Sequence, residues 1–208
     1  MGLALVMRRL RSVFAAALGC TLLVWAMPSA AQMTLTLYAA YVGSDGVENV
    51  STNTQADIRS SAAFAVAAGY DLDAGREVQL FYSQQATTVS PGGGTAPFDM
   101  TVRYLHLGGT VFFDEPIGRG PYVVGGLGAT QFSPSTSGYG TEFKPSLNLG
   151  LGYLLPLSDR VALRAEARGF FTFVNSSGGF LCSGGCVVVL SSDVFVQYAA
   201  MVGLTVRF

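Results

Sequence analysis

His106 is the only histidine in the 208-residue chain, so proton transfer near neutral pH has one obvious candidate. A histidine that activates a serine needs the hydroxyl within reach and a third group to orient the ring. Here Leu107 and Gly108 follow it, and the last stretch of the chain has no histidine. A structural histidine bonded to Tyr104 or to a neighbouring carboxylate is expected instead. Arg164, Glu166 and Arg168 occupy alternate positions. In an extended chain they share one face, with Glu166 between two cations. Such a cluster can fill an interior as an ion-pair network or form the charged constriction of a pore; the network is favoured. Asp57, Arg59, Glu77 and Arg207 are expected on the same inward side. Cys182 and Cys186 could close a disulfide or contribute to a metal site, but no histidine lies near enough to complete a metal set. Gly125-Gly126-Leu127-Gly128 lacks the helix and lysine of a phosphate loop and reads as strand glycine. No metal-ligand cluster or nucleotide motif appears, and no cofactor is expected.

The beginning of the chain says where these groups work. Arg8, Arg9 and Arg11 precede an apolar run from Val13 to Met27, followed by Pro28-Ser29-Ala30-Ala31. Positive charge, apolar core and small residues in that order predict a cleaved secretory signal over residues 1–31, cut between Ala31 and Gln32. The run is also shorter than the roughly 20 residues of a spanning helix. Ala17-Leu18-Gly19-Cys20 is a poor lipoprotein box, because the apolar core continues past Cys20. Residues 32–208 are then one domain. Of 12 Lys and Arg, three leave with the leader, against 13 acids, so the remainder carries a net charge of −4 and is no basic nucleic-acid binder. An oxidising compartment makes the disulfide the default for Cys182 and Cys186.

Charged residues are 12% of the chain, against roughly 25% in a typical soluble protein. The elements that carry the candidate groups read as strands, with period two. From Val194 to Phe208 every even position is apolar, while the odd positions are mixed and small. Val161, Leu163, Ala165, Ala167, Gly169, Phe171 and Phe173 oppose Arg164, Glu166 and Arg168. Leu147, Leu149, Leu151 and Tyr153 alternate with Asn148, Gly150 and Gly152. Phe64, Val66, Ala68 and Tyr70 form one face of another segment, and Val78, Leu80 and Tyr82 oppose Glu77, Gln79 and Ser83. Thr34–Val42 is the first strand. Over Met100–Phe113, Leu105, Leu107, Val111 and Phe113 are expected outward, with Tyr104 and His106 inward and Arg103 outward near the outer headgroups. Tyr122–Gln131 is too glycine-rich to assign a face. Tight turns are expected at Asp71–Arg76, Asp114–Gly120 and Pro156–Arg160. Longer loops are expected at Gly43–Asp57, Thr87–Phe98, Phe132–Glu142 and Asn175–Ser192.

Eight strands with short and long connections in alternation predict an eight-stranded antiparallel up-and-down transmembrane β-barrel, with both chain ends on the short-turn side. Closure is required because lipid offers no hydrogen bonds to an open edge. Tyr41, Tyr70, Tyr82, Tyr153, Tyr198 and Phe208 are expected near strand ends as aromatic girdles. A soluble barrel would instead turn its apolar face inward and its charges to water.

Tyr198, Val202, Leu204, Val206 and the terminal Phe208 resemble the assembly signal of outer-membrane barrels. Ala63-Phe64-Ala65-Val66-Ala67-Ala68-Gly69-Tyr70-Asp71-Leu72 and Leu105-His106-Leu107-Gly108-Gly109 resemble the small OmpA-like and OmpX-like barrel proteins. The resemblance implies location in the outer membrane of a Gram-negative bacterium and handling by the barrel-assembly machinery during biogenesis. It also implies contact with outer-membrane lipid and lipopolysaccharide. The expected role is structural or surface-interacting, through four extracellular loops and for a surface ligand the sequence does not name, as a monomer and without enzymatic activity. Two alternatives stand beside it. Such barrels include lipid A-modifying enzymes, but the His-x-Ser pair of the deacylases has no counterpart in the last strand. The other alternative is a narrow pore.

Overall fold

The computed structural model describes residues 33–44, 47–49, 54–73, 75–90, 96–113, 118–135, 140–174, 180–182, 186–188 and 194–208. Alternation of side chains along extended segments produces β1 (Met33–Ser44), β2 (Val47–Asn49), β3 (Thr54–Ile58), β4 (Ser61–Asp71), β5 (Arg76–Ser90) and β6 (Phe98–Phe112). β7 (Gly120–Pro134), β8 (Glu142–Pro156), β9 (Val161–Phe173), β10 (Phe180–Cys182), β11 (Cys186–Val188) and β12 (Val194–Arg207) follow. Among the described residues eight of these, β1, β4 to β9 and β12, pair antiparallel with their neighbours. The first and last strands pair from Thr34↔Arg207 to Ser44↔Gln197. That pairing leaves no open barrel edge, as hydrocarbon demands. Phe208 N donates to Met33 O at 2.9 Å, so β1 begins and β12 ends at one rim, called here the turn end.

The faces sort as a membrane barrel requires. Leu37, Leu107, Leu127, Leu149, Leu151 and Leu204 are exposed, Leu127 by 70%, whereas Arg164 and Glu166 are 1% and 5% exposed. A soluble barrel would invert both. Tyr70, Phe113, Tyr153 and Phe208 ring the outside near the turn end; Tyr41, Phe64, Phe143, Phe173 and Tyr198 ring it near the loop end. Tyr82 adjoins the loop-end ring, its centroid 6.2 Å from that of Phe64 and its hydroxyl 3.0 Å from Gln84 Oε1. β5 runs on to Ser90, so Tyr82 sits mid-strand, opposite Leu105.

Leu105, Leu107, Val111 and Phe113 do face outward, with Tyr104 and His106 inside. Pairing also fixes the face that glycine had obscured in β7: Tyr122, Val124, Thr130 and Phe132 are buried, and Val123 and Leu127 are exposed. Two of the loops are shorter than the alternation implied. β5 and β6 reach Ser90 and Phe98, and β7 and β8 reach Pro134 and Glu142. The first loop contains the β2–β3 hairpin, and β3 pairs with the end of β5 at Ile58↔Val89.

Along these longer strands the two faces exchange polarity. On β6, Leu105 and Leu107 face out near the middle, but Asp99, Thr101 and Arg103 occupy the same face nearer the loops. Inside, polar His106 and Thr110 give way to Phe98, Met100 and Val102. β5 and β7 do the same, with Gln84 and Thr88, and Gln131 and Ser133, facing out. From Phe113 to Arg103 the strand spans about 33 Å at ~3.3 Å per residue. At a tilt of about 40° that is roughly 25 Å along the axis, the height of an apolar band. Arg103 therefore marks the upper boundary of the hydrocarbon. Beyond it the sheet behaves as a soluble one, polar outside and apolar inside.

Candidate functional site: the closed lumen

An eight-stranded barrel has an interior that side chains nearly fill, and here they fill it in layers. Nearest the turn end, Phe112, Tyr122, Val124, Leu154 and Ala162 form an apolar floor. Arg207 Nη2 lies 3.8 Å from Asp71 Oδ2 at this rim.

Above the floor sits the ionic layer. Arg164, Glu166 and Arg168 all project inward from β9 and are buried. Glu166 Oε2 accepts the Tyr122 hydroxyl at 2.8 Å and the Tyr38 hydroxyl at 3.3 Å. Its Oε1 accepts Arg168 Nε at 2.7 Å. Arg168 also donates to Gln79 Oε1 at 3.0 Å and to Asn148 Oδ1 at 3.4 Å. Its guanidinium lies 3.9 Å from the Phe81 ring centroid, a cation–π contact that desolvation strengthens. Arg164 pairs with Glu77 at 3.4 Å, and Glu77 is held by Thr34 at 2.8 Å. Two cations and two carboxylates in direct pairs make the layer neutral, the condition under which buried charge is tolerated.

Glycines make room for the two tyrosines. Tyr122 pairs with Gly152 and Tyr38 with Gly203 on the adjoining strands. A Cβ at either glycine would collide with the facing ring.

The next layer is amide and aromatic. Tyr104 donates to Gln197 Oε1 at 2.6 Å, and Gln197 Nε2 to Gln85 Oε1 at 3.1 Å. Tyr104 stacks on Phe170 with centroids 4.2 Å apart. Toward the loops, Val42, Ile58, Val89, Phe98, Met100, Val102, Phe132, Val174 and Phe195 close the lumen with an apolar plug.

His106 differs from expectation in its partner. Its ring stacks on Tyr104 rather than bonding to it, and Nε2 lies 2.9 Å from Ser146 Oγ. Histidine and serine are thus brought together from β6 and β8, though 40 residues separate them. The pair is 1% and 3% exposed, and among the described residues Nδ1 has no hydrogen-bond partner. The orienting group that a serine nucleophile needs is missing, and Phe170 packs beside the ring.

Of the other charged residues expected inside, Glu77 joins the ionic layer and Arg207 reaches Asp71. Arg59 does not belong: it is exposed between β3 and β4. The side chain of Asp57 lies outside the described residues, as do Ala31 and Gln32. Cys182 and Cys186 stand opposite one another across the β10–β11 pair; their side chains are outside the described set. Tyr198, Val202, Leu204, Val206 and Phe208 all face outward and are exposed. Tyr38, Tyr122, Gln79 and Asn148 were not anticipated in the cluster, although their inward parity beside Arg164 and Glu166 was the available signal.

Fold and lumen define an eight-stranded antiparallel transmembrane β-barrel with a filled interior. No family model matches the sequence, and no curated protein matches it. Solved structures do share the fold. Neisserial surface protein A superposes with a TM-score of 0.56 at 16% identity, over 85% of this chain and 97% of that one. Ail, the attachment invasion locus protein of Yersinia pestis, gives 0.50 at 16% identity, over 86% and 99%. The outer membrane protein AlkL gives 0.51 at 16% identity, over 88% and 95%.

Proposed function

We propose that this protein is a non-enzymatic barrel of the Gram-negative outer membrane, with a structural or surface-interaction role exercised through its loop end. The observation that carries this is the lumen. The ionic layer is neutral and directly paired, and the apolar plug above it leaves little for an ion to follow, so selectivity chemistry of the kind a pore needs has no path to act on. Loops on a rigid scaffold are then the natural place for recognition. Ail, which has the same fold, is described in complex with the heparin analogue sucrose octasulfate. Recognition of an exterior polyanion is therefore within the reach of such a scaffold. In this reading residues 1–31 are a cleaved leader, the turn end faces the periplasm, and Cys182 and Cys186 are joined. Directly opposed strand residues have Cα atoms about 4.5–5.5 Å apart, inside the range a disulfide accepts.

The test is two measurements on the folded, membrane-inserted protein. A planar bilayer should stay free of conductance steps, and lipid A from cells producing the protein should keep its mass. Steps that shift with Glu166→Gln would establish a narrow pore instead. The His106–Ser146 contact gives the enzyme reading its one support. Lipid A altered in a way that His106→Ala abolishes would establish it.

A further inference from the structure

The change of polarity along β6 leaves one cation on the outside of the barrel at the edge of the hydrocarbon. Arg103 of β6 stands between Gln84 of β5 and Gln131 of β7 as cross-strand neighbours. Its Nε donates to Gln84 Oε1 at 2.9 Å, and its Nη1 to Gln131 Oε1 at 3.1 Å. Nη1 also lies 3.5 Å from Ser133 Oγ. The Tyr82 hydroxyl donates to the same Gln84 oxygen at 3.0 Å.

Every partner of this guanidinium is neutral. Amides orient the fork as a carboxylate would, but they do not cancel its charge. A guanidinium only donates, so both glutamines must turn their oxygens toward it, which leaves their NH2 groups as donors. Arg103 Nη2 is likewise uncommitted. The nearest outward acid on β6, Asp99, is bonded by Thr88 at 3.0 Å. The result is a fixed, un-neutralised cation flanked by amide donors, one step above Leu105 and Leu107.

We propose that Arg103, Gln84 and Gln131 bind the phosphate of an outer-leaflet lipid, the phosphorylated glycolipid lipid A, whose acyl chains would lie on the apolar face below. The uncommitted Nη2 can donate charge-assisted hydrogen bonds to a phosphate oxygen, with the glutamine NH2 groups beside it as further donors. The inference rests on the outer-membrane reading, since it needs the loop end to face the glycolipid leaflet.

The experiment refolds the mature chain in phosphatidylcholine nanodiscs, titrates in bisphosphorylated or dephosphorylated lipid A, and reads retained lipid by native mass spectrometry. Bisphosphorylated lipid A should be held about tenfold more tightly than the dephosphorylated form, about 1.4 kcal/mol. Arg103→Gln should remove the preference. Gln84→Glu should remove it too, because a carboxylate beside Arg103 keeps the fork in place and cancels its charge. Equal retention of both lipids by the wild type, or an unchanged preference in Gln84→Glu, overturns the proposal. So does full competition by millimolar inorganic phosphate, which would mark a free-anion site. Heat-modifiable migration of each variant separates the cases: a folded barrel without lipid preference defeats this site alone, and a chain that never migrates as a barrel defeats the membrane reading beneath it.

Discussion

Tyr122 of β7 reaches over Gly152 of β8 to donate its hydroxyl to Glu166 of β9 at 2.8 Å, and that bond spans the intervening strand through the space the glycine leaves. The carboxylate is the hub of the interior, since Tyr38 and Arg168 reach it as well.

Removing the hub should be costly. Glu166→Ala leaves Arg168 buried without its carboxylate, and breaking a buried pair from one side typically costs about 3–5 kcal/mol. Urea unfolding from vesicles should show a loss of that size. An effect below about 1 kcal/mol would mean that water already enters the layer.

Gly152→Ala should destabilise, against the usual direction. Alanine normally favours a strand over glycine by roughly 0.5–1 kcal/mol. Here the added Cβ meets the Tyr122 ring, and overpacking costs about 1–3 kcal/mol. Gly152→Ala combined with Tyr122→Phe tests the hydroxyl's share of the clash. A stabilised single variant would refute the packing.

The change of polarity along the outer face of β6 gives a paired prediction. Leu107→Arg, near mid-height, should cost about 2–4 kcal/mol, whereas Thr101→Arg, above the hydrocarbon, should cost ~0–1 kcal/mol. Equal costs would place Thr101 in lipid and remove the boundary at Arg103.

Much of this organisation was legible before any coordinates. Where one face is uniformly apolar, as along β12, alternation identifies strand, orientation and environment together. The misjudgements fall where the environment changes along a strand. Thr87–Ser90 reads as loop because Thr88 is polar on the face that Leu80 makes apolar lower down. β7 was unreadable for a related reason: at Gly125, Gly126 and Gly128 there is no side chain to report a face, and pairing with Leu107 and Leu147 at Leu127 settles it. The His106–Ser146 contact joins residues with no local signal linking them, since it depends on the stagger of β6 and β8 across β7.

Deleting Phe208 should impair insertion. Its side chain is exposed on the outer face, and its backbone N–H closes the last rung at Met33. Membrane-embedded, heat-modifiable protein at wild-type levels after the deletion would show that the last residue carries no assembly information.

The cysteines should change little in the barrel. The chain isolated from membranes without reductant should be lighter by two hydrogens than its reduced form. A ring this small constrains little of the unfolded chain, so Cys182→Ser with Cys186→Ser should leave the unfolding midpoint of the barrel in place. A large shift would mean that this hairpin packs on the rim.

β5 to β8 are each 15 residues long, while β4 has 11 and β1 has 12. The sheet therefore stands tall on that flank, and beside β4 it is carried upward by β3, which pairs with the end of β5 at Ile58↔Val89. The height of the sheet there is set by hydrogen bonds that heat or denaturant must melt together with the part held in fat.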